Sequence, residues 1–285
     1  MGTVVAVRRY PVKSMLGEAL TSVPVTAEGL AGDRAFAVLD GAGAVGSAKH
    51  PRKWGALLHC RSRSAGPGAV RVELPGGAVL PAGSEELDAR LSTLLGRAVT
   101  VSAEPPEHGL LERAVPAYEG GLPDVLRDRA SVDATGEEIT SGRVAAGTFL
   151  DFGRVHLVTT NSLHRLRQAH PAGDFDPRRF RPNLVVGLPG GPGFPEDAWQ
   201  GGTTLRIGPV LFRVTVPTPR CAVPNLGHGE LPPDPATMRT VAREHRVPVL
   251  DLGRLSCVGV YLEVLEPGTV RTGDEVTVHS APSGA

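Results

Sequence analysis

Apolar residues along this chain fall in short runs cut off by Gly, Pro or Asp, and few of them recur at helical spacing. In the first hundred residues the runs Val4 to Tyr10, Leu20 to Thr26, Ala35 to Leu39, Leu57 to Arg61, Val70 to Leu74 and Val99 to Ser102 predict strands. Turns such as Gly29-Leu-Ala-Gly-Asp33 and Asp40-Gly-Ala-Gly43 separate them. One helix interrupts the series. Leu87, Leu91, Leu94 and Leu95 share a face, with Ser84 placed to cap its start and Gly96 to end it. From residue 103 to about 132, Pro and Gly recur without any period, which predicts a connection between two halves. Strands resume at Val155 to Thr159, Leu184 to Val186, Thr204 to Ile207, Val210 to Val216, Cys257 to Val264 and Glu275 to Val278. Short helices are expected after Thr160-Asn-Ser162, carrying Leu163 and Leu166, and after Asp234-Pro235, with Met238, Val241 and Ala242 facing inward.

This pattern predicts a mainly β protein with a few short helices, made of two β-barrel-like domains. The expected division is residues 1–105, a connecting segment 106–132, a second domain 133–279 and a frayed tail 280–285. Composition adds exclusions. Lys plus Arg and Asp plus Glu are 30 each, so no global field favours nucleic acid or an anionic membrane. No apolar run reaches the roughly 20 residues needed to span a bilayer. The chain enters a strand at once, with no signal-peptide pattern, and its three cysteines are far apart. A reducing, cytoplasmic setting is the expectation. Lysine occurs only at positions 13, 49 and 53, against a background of arginine.

Four polar clusters are candidates for ligand contact. Tyr10-Pro-Val-Lys13-Ser14 leaves the first strand with a cation and a hydroxyl, which suit a phosphate or other anion, or make a solvated turn. Gly29-Leu-Ala-Gly-Asp-Arg34 allows close backbone approach and offers a guanidinium fork, or forms a tight turn with a surface ion pair. Arg178-Arg-Phe-Arg181-Pro-Asn183 sets three arginines and an amide before an apolar strand, alternation placing the charges on one side. An anion site and an arginine cluster bonded to loop carbonyls both fit. Pro217-Thr-Pro-Arg220-Cys221 delivers a thiol beside a guanidinium, a pairing that raises the thiolate fraction of a nucleophile or soft metal ligand. A buried, inert cysteine is the plainer reading. Cys60 and Cys257 sit in apolar runs and read as buried, and His228 reads as a turn residue that could also serve as a base. No CxxC pair, Rossmann glycine motif, P-loop, HExxH or GxSxG occurs.

In this order the motifs resemble the MOSC proteins, named for the C-terminal domain of molybdenum cofactor sulfurase. Tyr-Pro-Val-Lys-Ser followed by Gly-Asp-Arg-x-Phe is similar to the N-terminal β-barrel domain that accompanies many of them. Arg-Phe-Arg-Pro-Asn-Leu-Val-Val, Phe194-Pro-Glu-Asp-x-Trp199, Arg220-Cys221, Gly259-Val-Tyr and Pro267-Gly-Thr-Val-x-x-Gly-Asp274 resemble the MOSC domain itself. The resemblance implies a molybdenum cofactor, a phosphate-bearing pyranopterin, with Cys221 as metal ligand and catalytic residue. Lys13, Ser14, Arg34, Ser162, Arg181, Asn183 and Arg220 are its implied cofactor contacts. It further implies an oxidoreductase that reduces small N-hydroxylated or N-oxygenated substrates; pyridoxal phosphate is not expected. No ferredoxin-like domain follows in this sequence, so electrons are expected from a separate ferredoxin or flavoprotein reductase. Two alternatives stay open: a persulfide carrier using Cys221, and a cofactor-free biosynthetic enzyme reusing the pocket. The stretch Gly46-Ser-Ala-Lys-His50 departs from the usual Thr-x-Arg, and the loop after Cys221 lacks the usual threonines.

Overall fold

A computed structural model of the chain describes residues 1–107, 109–115, 130–133, 136–199 and 202–279. The expected tail 280–285 and most of the expected connecting segment lie outside the described residues. Seven strands close into a barrel: β1 (Gly2–Arg9), β2 (Val155–Thr159), β3 (Leu184–Gly187), β4 (Thr204–Ile207), β5 (Val210–Pro219), β6 (Arg254–Glu266) and β7 (Glu275–His279). They run in the order β2-β3-β1-β7-β4-β5-β6, and β6 pairs back onto β2. All pairs are antiparallel except β2 with β3, which are joined by the helix α2 (Thr160–Ala169). Strands such as Val210–Pro219 alternate inward and outward side chains, so Val210, Phe212 and Val214 fill the barrel with Val4, Leu157, Leu184, Val260 and Val276.

The first strand therefore serves the second half. β1 inserts between β3 and β7, pairing Val7 with Leu184 and Thr3 with Glu275, and so crosses the boundary expected near residue 105. Strand Ser22–Thr26 likewise pairs with Gly268–Arg271. The rest of the first hundred residues forms its own core around Met15, Trp54, Leu57, Leu87 and Val99. Its helix α1 (Glu85–Leu95) is built as its sequence requires. The Ser84 side chain accepts from the Leu87 amide, and Gly96 ends the helix in the left-handed conformation at φ 65°.

Four local expectations are corrected. The run Leu57 to Arg61 is no strand: Gly55–His59 is a 3-10 turn following a short helix that Pro51 initiates, and the strand begins at Arg61. Leu57 and Leu58 are both buried, each in a different core, which a one-faced strand does not allow. Within the expected connection, Leu110–Ala114 and Ala130–Val132 are strands flanking Glu138–Arg143. β5 runs on through Pro217 to Pro219. In the last helix, Ala236–Glu244, the buried residues are Thr237, Thr240 and Val241, whereas Ala242 is exposed. His50 ties the halves together, its Nε2 2.7 Å from Asp133 and its Nδ1 3.3 Å from Glu137. Among the described residues no helix is long and apolar enough to cross a membrane.

Candidate functional site

Where the two halves meet, a cleft opens with about 800 Å³ of empty space including its mouth. Its wall includes Lys13, Ser14, Arg34, Arg181, Asn183, Arg220 and Cys221. Residues far apart in sequence thus converge, each delivered by the end of a strand or a tight turn. Lys13 and Ser14 follow β1 after Pro11 halts its ladder, Arg181 and Asn183 precede β3, and Arg220 and Cys221 follow β5. Backbone strain concentrates here. Among the described residues four non-glycine residues have positive φ, and three of them line the cleft: Ser14 (65°), Arg34 (48°) and Arg181 (54°).

Each polar side chain is held. Asn183 is buried; its oxygen accepts from the His156 amide at 3.1 Å and from Arg34 at 3.3 Å, and its nitrogen donates to the Arg8 carbonyl at 3.3 Å. Asp33 pairs with Arg34 and accepts from the Tyr10 amide at 2.7 Å. The guanidinium groups of Arg181 and Arg34 lie 4.3 and 4.7 Å from the centre of the Tyr10 ring, two cation–π contacts that help to fix both. Arg181 donates to the Met15 carbonyl at 2.6 Å, and Arg220 to the Phe180 carbonyl at 2.7 Å. Ser14 accepts from the Ala48 amide at 3.0 Å. Cys221 is partly exposed on a small apolar base of Ala48, Leu58 and Val223. The other two thiols are buried, and burial pushes both up to about 12.

The electrostatics of the cleft are one-sided. Among the described residues that line it, Lys13, Arg34, Lys49, Arg181 and Arg220 stand against a single carboxylate, Asp151. Burial pushes Arg181 down to about 10 and Lys13 down to about 8, so both retain their charge at neutral pH. His156 is pushed down to about 3, first by burial and then by Arg220. It stays a neutral imidazole, and its Nε2 lies 3.1 Å from the Val258 carbonyl. Phe152 and Tyr261, with ring centres 5.7 Å apart, add aromatic surface to the wall. A β-carbon on Gly153 would stand 2.3 Å from the Tyr261 ring, so only glycine fits beneath it.

The other candidates resolve differently. Ser162 is not at the cleft. It opens α2, fully buried, and donates to Glu196 at 2.5 Å while sharing a hydrogen bond with Thr159. The three arginines before β3 also diverge, because a short helix, Pro177–Phe180, replaces the expected alternation. Arg178 pairs with Asp176 at the surface, and buried Arg179 bonds the Leu226 and Pro232 carbonyls; only Arg181 reaches the cleft. Gly29 lies against the Arg154 carbonyl and Gly32 against Arg9, and neither lines the cleft. His228 is buried away from the cleft wall, its Nδ1 2.9 Å from the Leu226 carbonyl. Lys49, Asp151, His156 and Tyr261 were not singled out from the sequence. Lys49 carried a signal in the rarity of lysine, and Tyr261 in its place in the Gly259-Val-Tyr motif.

Comparison with known proteins agrees with this architecture. The MOSC N-terminal β-barrel domain matches residues 1–103 and the MOSC domain matches residues 145–277. Among solved structures, the YuaD protein of Bacillus subtilis is 13% identical and covers 99% of this chain and 97% of its own, with a TM-score of 0.47. YiiM from Geobacillus stearothermophilus (16% identity, 45% of this chain, 55% of its own, TM-score 0.32) and YiiM from Escherichia coli (18%, 46%, 57%, 0.32) are further neighbours. A search of curated proteins finds no match. With both domains matched in order, the chain belongs to the MOSC family, whose members are associated with the molybdenum cofactor.

Proposed function

We propose that the cleft holds a molybdenum cofactor and that the protein is an oxidoreductase removing oxygen from small N-hydroxylated compounds. The observation that carries this reading is the partly exposed Cys221 thiol on the wall of a cleft with five cationic side chains and one carboxylate. The residues fit such a guest. Buried Arg220 Nε has no hydrogen-bond partner among the described residues, the cations outnumber the carboxylate, and three strained residues hold their side chains toward one space.

In this reading Lys13, Ser14, Arg34, Arg181, Asn183 and Arg220 bind the phosphate and pterin, and Cys221 supplies a soft thiolate to the metal. When bound, the cofactor supplies two-electron chemistry at a thiolate-ligated molybdenum. Arg34 and Arg181 are pre-oriented by the Tyr10 ring, so little side-chain freedom is lost on binding. Phe152 and Tyr261 give the cleft an aromatic wall, and His156, held neutral, adds no further charge to it. Ser162 has no part in binding. Electrons come from a separate ferredoxin or flavoprotein reductase. A persulfide carrier also needs an accessible thiol, yet it has no use for five convergent cations.

The test is turnover of an N-hydroxyamidine by metal-loaded protein, with a reduced viologen as electron source. Turnover lost in Cys221→Ala is expected. Fully loaded protein that leaves N–OH substrates untouched would rule out the proposed reaction while leaving cofactor binding standing.

A further inference from the structure

We propose that Lys13 and Lys49 together form the seat of a phosphoryl dianion, and that Asp151 fills this seat until the ligand displaces it. The inference rests on the anionic-ligand reading above and adds two residues to it. Lys13 pairs with one carboxylate oxygen of Asp151, and Lys49 reaches the other at 2.5 Å. Two oxygens of one anionic head thus meet two ammonium groups, the arrangement that two oxygens of a phosphate would take. Lys13 is 6% exposed and also donates to the Phe149 carbonyl at 2.7 Å, an acceptor that remains when the Asp151 side chain turns away.

Charge favours the exchange. Burial alone would raise the Asp151 carboxyl, but Lys13 and Lys49 outweigh it and hold the group well below the usual carboxylate range. Even so, one carboxylate faces two lysines and a net positive charge remains, while Arg34 in the same cleft is already paired with Asp33. A phosphate monoester brings about −1.5 to −2 at neutral pH, against −1 for the carboxylate, and so compensates the pair more fully. Asp151 lies in the irregular segment between strand Glu138–Arg143 and β2, so its withdrawal breaks no strand pairing. Lys53 is a built-in control. It lies outside the cleft, paired with Asp40 at 3.0 Å and Glu112 at 2.8 Å.

The test is calorimetric titration of the full chain, purified without cofactor, with inorganic phosphate at pH 7 and low salt. Asp151→Asn is expected to bind at least about tenfold tighter than wild type, and Lys49→Met about tenfold weaker. A companion measurement needs no variant. Phosphate is expected to shield Lys13 and Lys49, but not Lys53, from acylation by acetic anhydride, read by peptide mass. Wild type that binds phosphate while folded Asp151→Asn gains nothing, or shielding of Lys13 alone, overturns the exchange and leaves the anion site intact. Absence of phosphate binding in every variant overturns both.

Discussion

Arg34 donates to the side-chain oxygen of Asn183 at 3.3 Å, although 149 positions separate them. The same amide holds the His156 backbone and the Arg8 carbonyl. One buried side chain therefore fastens the arginine turn of the first half to two strands of the barrel, and sets the angle at which Arg34 enters the cleft.

Replacing Asn183 with Leu keeps the volume and removes these partners. The buried His156 amide and the Arg34 guanidinium each lose an acceptor, which costs about 1–3 kcal/mol of stability. Urea unfolding of Asn183→Leu against wild type measures it. Equal midpoints and slopes would show that the amide is not a fastener.

Ser162→Ala separates structure from ligand contact. The serine donates to buried Glu196 at 2.5 Å and stands away from the cleft, so its loss is expected to cost about 1–3 kcal/mol of stability while leaving metal content unchanged. Loss of bound metal with normal stability would restore Ser162 to the binding set.

This contrast marks how far the sequence could be read. Ser84, the leucines after it and Gly96 each make a local demand, and the helix between them forms as those demands require. The strand-end residues Lys13, Arg181, Asn183 and Cys221 were legible because prolines and chain exits mark places where side chains leave a ladder. Asp151 was not, since nothing local tells a cleft carboxylate from a surface one, and Tyr261 entered only as part of the Gly259-Val-Tyr motif. The insertion of β1 between β3 and β7 was equally hidden, because pairing across some 180 residues leaves no trace in a short apolar run.

Stability is expected to fall on acidification below neutral pH. Burial, with Arg220, pushes His156 down to about 3, and burial pushes His228 down to about 4, whereas the unfolded histidines keep the ordinary value near 6.5. Between those limits the unfolded chain holds more protons, so stability rises with pH, is fully present above about 6.5 and is lost as pH falls toward 4 and then 3. Glu196, raised by burial, acts in the opposite sense near its own titration. Urea unfolding at pH 7 and pH 4.5, in wild type and His228→Gln, isolates one histidine's share. A shallower loss in the variant is expected; an identical loss would contradict the buried neutral state.

The central claim is that residues of both halves grip a phosphorylated, metal-bearing cofactor at Cys221. It is tested most directly by molybdenum and pterin content together, in wild type and Cys221→Ser purified from a host that makes the cofactor. About one molybdenum and one pterin per chain are expected in wild type, with the molybdenum lost from a normally folded Cys221→Ser. Wild-type protein carrying neither, from such a host, would contradict the claim.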